Sequence, residues 1–234
     1  MVEVIWYGHA CFELRGTTTT IVLDPFGGLG IPEPKAEADI VLCSHSHRDH
    51  NNIAPVLKEG GTAVEGFVGP WTYFQGGTCN VCRSGKQVKV QGIDTFHDAV
   101  GGSQRGKNSV YVIDHFGVKL CHLGDLGHDL TAEQIERIGD LDVLFTPAGG
   151  GPQTIGFDIA SSIVERLKPK IVVPMHYNFE LPGNPELLSR FGRVDDFLKG
   201  KKNVKKIDGR SFIANRQSLP KEQTIIVPSF EQHS

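Results

Sequence analysis

The stretch Ser44-His45-Ser46-His47-Arg48-Asp49-His50 gathers three histidines and one aspartate between positions 45 and 50. Side chains two apart in an extended segment point to the same side, so His45 and His47 can close on one cation. The chain then turns and carries Asp49 and His50 elsewhere. That layout suits two metal ions rather than one. A polar loop whose imidazoles merely cluster is the plainer alternative, but neighbouring imidazolium charges repel unless a cation or hydrogen bonds keep the rings neutral. Histidine fills only 10 of 234 positions, so the local density points to metal, and further ligands must come from elsewhere in the chain.

Upstream, residues 38–43 read as a short buried strand that delivers the cluster at its C-terminal end, where a rigid element meets a free loop. Residues 2–7, 11–15 and 19–23 are β-branched and apolar runs separated by glycine-containing turns, an opening meander of strands. Asp24 ends the third strand, where a carboxylate can orient a metal-bound imidazole from behind. Downstream, the spacing predicts a helix over 51–58, strands over 62–68 and 87–90, and a turn or short helix over 69–74. Residues 93–97 form a strand ending at His97. A hairpin over 108–114 and 118–123 turns at His115, which is expected in solvent, and runs into Leu123-Gly124-Asp125.

Thr131 with Gln134 has the pattern of a capping box and opens a helix to 138. Strand 141–146 leads to the glycine-rich loop 147–152, whose bare amides could approach an anion, a flexible turn being the plainer reading. Residues 158–168 show helical spacing. Strand 170–174 ends in Met175-His176-Tyr177, and residues 185–198 read as a helix. The basic segment 199–206 is read as a solvated helix end. Strands at 204–207 and 224–227 precede a frayed tail.

Separate strand ends thus offer His45 and His47, His97, Asp125 and His176, with Asp49 and His50 beside the first pair. Two centres follow: one from His45, His47 and His97, a second from Asp49, His50 and His176, with Asp125 shared by both. His9, His115, His122 and Tyr177 are candidates for supporting or acid groups. His122, three residues before Asp125, stands first among them.

The composition, 39% apolar and 22% charged, is that of an ordinary globular chain. We read one domain, a body over 1–214 with a C-terminal strand and tail over 215–234 packed on it. No run is long enough to span a bilayer, and the N-terminus lacks a signal-peptide pattern, so a cytoplasmic protein without a membrane anchor is expected. The net charge of −3 gives no electrostatic encouragement to a nucleic-acid partner; a homo-oligomer stays open. Five cysteines do not make a disulfide framework. Cys11, Cys43 and Cys121 read as small core residues, and the isolated Cys79-Asn80-Val81-Cys82 lacks the second pair a zinc site needs.

The order HxHxDH, then a histidine, a Gly-Asp turn and a Met-His at a strand end resembles the metallo-β-lactamase superfamily, from about residue 2 to 212. Its seven ligand positions correspond to His45, His47, Asp49, His50, His97, Asp125 and His176. Trp6-Tyr7-Gly8-His9-Ala10-Cys11-Phe12, Leu23-Asp24-Pro25-Phe26, Leu123-Gly124-Asp125 and Pro174-Met175-His176-Tyr177 resemble the branch that includes ascorbate-6-phosphate lactonase and N-acyl-phosphatidylethanolamine phospholipase D. The resemblance implies an α/β (α+β) fold, an αββα sandwich of two mixed sheets with helices outside. The membrane-contacting arm of the lipid-cleaving relatives and the exosite of the tRNA-processing members are not found in the sequence.

Two cations about 3.5–4 Å apart hold a hydroxide near neutral pH. The expectation is a metal-dependent hydrolase of a small ester-like substrate, a lactone or a phosphorylated compound, with Asp49 taking a proton and His122 assisting. Five histidines and two aspartates favour Zn²⁺, with Mn²⁺ or Fe²⁺ also suited. A phosphodiesterase, or a metal-binding protein without turnover, stands beside that reading.

Overall fold

The computed structural model describes residues 1–66, 69–75, 78–79, 88–151, 153–179 and 189–230, with no side chains described at 70–75 and 78–79. The chain opens with β1 (Val2–Gly8), β2 (Cys11–Arg15), β3 (Thr20–Leu23), β4 (Ala38–Cys43) and β5 (Leu57–Glu65). Next come β6 (Gly69–Gln75), β7 (Thr78–Cys79), β8 (Val88–Phe96), β9 (Lys107–His115) and β10 (Val118–His122). The second half alternates: α1 (Ala132–Ile138), β11 (Val143–Pro147), α2 (Phe157–Leu167), β12 (Ile171–Met175) and α3 (Val194–Leu198). β13 (Val204–Ile207), β14 (Ser211–Ala214) and β15 (Thr224–Pro228) close it.

These strands make two mixed sheets, ordered β14-β1-β2-β3-β4-β5 and β13-β15-β12-β11-β10-β9-β8-β6-β7. β3, β4 and β5 run parallel, as do β10, β11, β12, β15 and β13, and the remaining neighbours are antiparallel. All residues of β4, β11 and β12 are buried, which is why their sequences, Asp39 and Thr146 apart, run apolar instead of alternating. The sheets meet through side chains: Phe12 of β2 lies 4.3 Å from Phe145 of β11, centroid to centroid, and Tyr111 of β9 donates its hydroxyl to Cys43 O at 2.8 Å. α2 turns Ala160, Ile163, Val164 and Leu167 inward, one apolar stripe at helical spacing, and packs on β11 and on α1, which also covers β8. The arrangement is the expected sandwich of two mixed sheets with helices outside.

The opening meander, β4, the hairpin β9–β10 and the strands that end near His97, Asp125 and His176 lie where the sequence predicts them. Thr131 caps α1 with a full capping box, its hydroxyl accepting from Gln134 N while the Gln134 side chain returns to Thr131 N. Two segments differ. Residues 51–58 form no helix; they turn and enter β5 at Leu57, because Ile53, Val56 and Leu57 mimic helical spacing while Gly60 and Gly61 admit an extended edge beside β4. Residues 69–74 belong to β6, paired with β8. Of the helix expected over 185–198, only Val194–Leu198 is helical among the described residues. Residues 185–188, the Cys79–Cys82 motif beyond the backbone of Cys79, and the end of the tail lie outside the described residues. β15 pairs on one side with β12 and on the other with β13, and no helix among the described residues is long and apolar enough to cross a membrane.

Candidate metal centre

The edge where β4, β8, β10 and β12 end is where the candidate residues converge. His45, His50, His97, Asp125 and His176 are all buried; His47 is exposed and Asp49 half-buried. His45, His47 and His97 bring one donor atom each within 4.8 Å of one another, as do His45, His50 and Asp125. His45 Nε2 lies 3.1 Å from His47 Nδ1. Asp125 Oδ2 stands 3.3 Å from His97 Nε2, 3.2 Å from His50 Nε2 and 3.1 Å from His176 Nε2. One carboxylate oxygen therefore faces imidazoles of both expected groups.

Asp24 sets the direction of two of these rings. Its Oδ1 accepts from Ser44 N at 2.6 Å, and its Oδ2 from the Ser44 hydroxyl at 2.8 Å and His50 Nδ1 at 3.0 Å. Because the Ser44 hydroxyl donates to Asp24, it accepts from His45 Nδ1 at 2.9 Å. Both imidazoles then carry their proton on Nδ1 and present a bare Nε2 to the cluster, which is how a carboxylate behind a metal-bound histidine fixes its tautomer. The orienting role read for Asp24 from the sequence is thus a geometric fact for His50, and it reaches His45 through Ser44.

Of the supporting and acid roles read for His122, its placement matches the supporting one. It is fully buried, with Nε2 2.9 Å from Asp24 Oδ2, so it stands behind Asp24 in the layer between the sheets and does not touch the cluster. Its place is that of a positioning residue acting through Asp24, not of an acid meeting substrate. His115 is also buried rather than solvated, because the Phe116–Gly117 tip, with φ of 50° and 74°, folds it back against Gly16. Tyr177 stacks on Trp6 with centroids 5.5 Å apart, an aromatic prop under the His176 turn.

Sequence reading also missed Asn108. Fully buried at the start of β9, it donates from Nδ2 to Leu123 O at 3.0 Å and accepts at Oδ1 from Asp125 N at 2.9 Å. That clamp holds the turn bearing Asp125, and a lone buried amide at a strand start left no periodic signal. Asp98, next to His97, accepts the amides of Val100, Gly102, Gln104 and Arg105 at 2.8–2.9 Å and so closes the loop beyond that ligand. Burial pushes its carboxyl up, but these four bonds together outweigh that and hold it at about 2, below the usual range.

The glycine-rich loop after β11 serves close packing. A Cβ on Gly149 would stand 2.2 Å from His176 O and 2.8 Å from Tyr177 Cα, distances no backbone atom accepts. Gly149→Ala should therefore cost about 1–3 kcal/mol, the range for forced overpacking, and displace the His176 turn. Urea unfolding of the metal-free protein reads it, and a midpoint unchanged from wild type would show that the loop yields freely.

Electrostatics show whether these residues fit metal ions. Burial, reinforced by His50, pushes the His45 imidazole down to about 3, and burial lowers His97 as well, so both are neutral donors at neutral pH. His50 behaves oppositely: burial pushes it down, but Asp125 and Asp24 outweigh burial and hold it well above its ordinary value. With Nδ1 committed to Asp24, the bare His50 Nε2 would otherwise face the Asp125 carboxylate acceptor to acceptor. Only a proton or a cation reconciles them. Asp125 Oδ1 is buried without a hydrogen-bond partner among the described residues, and the donor set is nitrogen and carboxylate oxygen, which suits Zn²⁺, Mn²⁺ or Fe²⁺. The residues present fit divalent metal.

The profile of the β-lactamase superfamily domain matches residues 3–176. A UPF0173 metal-dependent hydrolase of Thermoplasma volcanium is 32% identical over 190 residues, covering 76% of this chain and 84% of the relative. A second, from Thermus thermophilus, is 31% identical over 193 residues, covering 76% and 84%. A crystal structure from Thermotoga maritima, described within the metallo-β-lactamase superfamily, superposes with a TM-score of 0.73 at 35% identity, covering 98% of this chain and 99% of that one. The chain belongs to the metallo-β-lactamase superfamily and, within it, to the UPF0173 metal-dependent hydrolase family.

Proposed function

We propose that the protein is a hydrolase of a small ester-like substrate, a lactone or a phosphorylated compound, working with two divalent metal ions, Zn²⁺ by preference. His45, His47 and His97 would hold one ion, Asp49, His50 and His176 the other, and Asp125 both. The observation that carries this is Asp125 Oδ2, a single oxygen 3.1–3.3 Å from imidazoles of both groups. When bound, such a pair supplies Lewis acidity and a water acidified enough to act as nucleophile near neutral pH.

The chain's own residues do the rest. Asp24, with Ser44 between, aims His45 and His50. Burial pushes Asp49 up, but His9 and His50 outweigh it and hold the carboxyl below the usual range; it stays ionised, and Oδ1, the oxygen not facing His9, takes the proton released as the nucleophile attacks. His47 and Asp49 are the cluster's most exposed members, so substrate enters on that side.

A cavity of about 270 Å³ borders His45 and His47 and is lined also by Ser46, Ser109, Arg105 and Lys107, with Glu65 and Asp94. Its walls are polar and carry both signs of charge, which suits a small polar substrate. A larger depression of about 930 Å³, walled by Pro32, Pro34 and Pro55 beside Glu13 and Arg15, touches none of the cluster and is set aside on chemistry despite its size. The UPF0173 relatives are named metal-dependent hydrolases, and the description of the Thermotoga maritima structure proposes zinc dependence. The substrate chemistry follows our reading of four short motifs as resembling those of ascorbate-6-phosphate lactonase and N-acyl-phosphatidylethanolamine phospholipase D, and a small cavity with polar walls is in keeping with the former.

Protein purified without added metal should carry about two transition-metal ions per chain. A panel of lactone, thioester, phosphodiester and phosphomonoester substrates, with Zn²⁺ or Mn²⁺, should show metal-dependent turnover that Asp49→Ala lowers by about 10²–10⁴, the range for loss of a proton acceptor. Turnover confined to phosphodiesters would make it a phosphodiesterase. Two bound ions with no turnover across the panel would make it a metal-binding protein of the same fold.

A further inference from the structure

His9 is not among the seven residues the sequence assigns, yet it is 1% exposed and points its Nε2 into the same space. That atom lies 3.1 Å from His50 Nε2 and 3.4 Å from Asp49 Oδ2. The His9 and His176 rings are 4.2 Å apart, centroid to centroid, and His9, His50 and His176 bring their donor nitrogens within 4.8 Å of one another. Around a divalent ion with bonds of about 2.0–2.2 Å, neighbouring donors stand about 3.0–3.5 Å apart. The steps Asp49–His9, His9–His50, His50–Asp125 and Asp125–His176 measure 3.4, 3.1, 3.2 and 3.1 Å. Each has the length of an edge between ligands.

A hydrogen bond from His9 to Asp49 or His50 accounts for one of these steps. It does not account for the third imidazole, His176, closing on the same point. The backbone joins the two: His176 N donates to His9 O at 3.1 Å, and both residues are left-handed, with φ of 52°, so the turn after β1 and the turn after β12 are locked together with their rings inward.

We infer that His9 is a further metal ligand, binding the second ion through Nε2 beside Asp49, His50 and His176, with Asp125 shared. The second ion then has five protein donors and the first, held by His45, His47, His97 and Asp125, has four. Substrate and water exchange are thereby directed to the first ion, on the side where His47 is exposed and the 270 Å³ cavity opens. The second ion is the tighter and slower to leave.

The inference rests on the two-metal reading, and its test separates the two. A crystal structure of the zinc-loaded wild-type protein should show His9 Nε2 about 2.0–2.1 Å from the second ion. His9→Gly keeps the left-handed turn, since glycine adopts positive φ freely. Titrated with Zn²⁺, it should bind one ion as wild type does and the second at least about 100-fold more weakly, as large as or larger than the loss of an outer-sphere partner. Added 1-methylimidazole, which can ligate through its bare nitrogen but has no N–H to donate, should restore the second ion.

A zinc-loaded structure with His9 hydrogen-bonded to Asp49 and away from the ion would overturn the assignment. So would His9→Gly binding both ions at wild-type affinity, or rescue by imidazole and not by 1-methylimidazole. Wild-type protein that never binds more than one ion would instead remove the two-metal reading, and this assignment with it.

Discussion

Asp125→Asn should weaken both metal ions at once. The substitution keeps the shape of the side chain and removes the charge from the one oxygen that stands 3.1–3.3 Å from His50, His97 and His176. We expect each ion to bind at least about 100-fold more weakly, because even partners one shell further out are worth 10–100-fold, and turnover at micromolar metal to fall by about 10³ or more. His176→Ala, by contrast, should lose the second ion and leave the first. Zn²⁺ titration followed by competition with a chelator reads both variants. If Asp125→Asn loses only one ion, Asp125 is not shared and the two centres are independent.

The second large effect concerns stability, and it shows without metal. Asp24 is fully buried and accepts from Ser44 N, the Ser44 hydroxyl, His50 Nδ1 and His122 Nε2. Burial pushes its carboxyl up, but His122 and His50 outweigh that and hold it far below the usual range. Removing one partner of a buried charge network costs about 3–5 kcal/mol, and we expect that loss for Asp24→Asn in urea unfolding of chelator-treated protein. Asparagine tolerates the left-handed backbone at φ 43°, so backbone strain does not contribute to the effect. The zinc affinity of refolded variant should also fall, since His45 and His50 lose the group that aims them. A loss under about 1 kcal/mol would mean that the four donors find other acceptors.

Much of this site was legible in the chain because its donors sit at strand ends. Apolar runs announce the strands, and the residue that follows each run is fixed by them; His97, Asp125 and His176 were placed that way, and the 45–50 cluster announced itself by density. Helical spacing misled at Ile53, Val56 and Leu57, where the glycines of β5 decided for an edge strand. His9 stood only among the supporting candidates because a tight turn between β1 and β2 has no period, and its approach to His50, 41 residues on, is visible only in the fold. His122 was left between a supporting and an acid role because alternation says which face a residue occupies but not what waits on that face, here Asp24. His115 failed for a related reason: a hairpin tip is exposed unless its turn folds back, and left-handed Phe116 and Gly117 do fold it back.

Asp24 and His176 both adopt positive φ, at 43° and 52°, where most side chains are strained and glycine or asparagine is comfortable. Along a lineage released from selection for turnover, His176 should drift toward glycine or asparagine first, whereas Asp24 should persist, because the buried network it closes supports the fold without metal. Homologous chains could thus be sorted into working and retired copies by inspecting one backbone position, with the sandwich itself telling nothing about which is which.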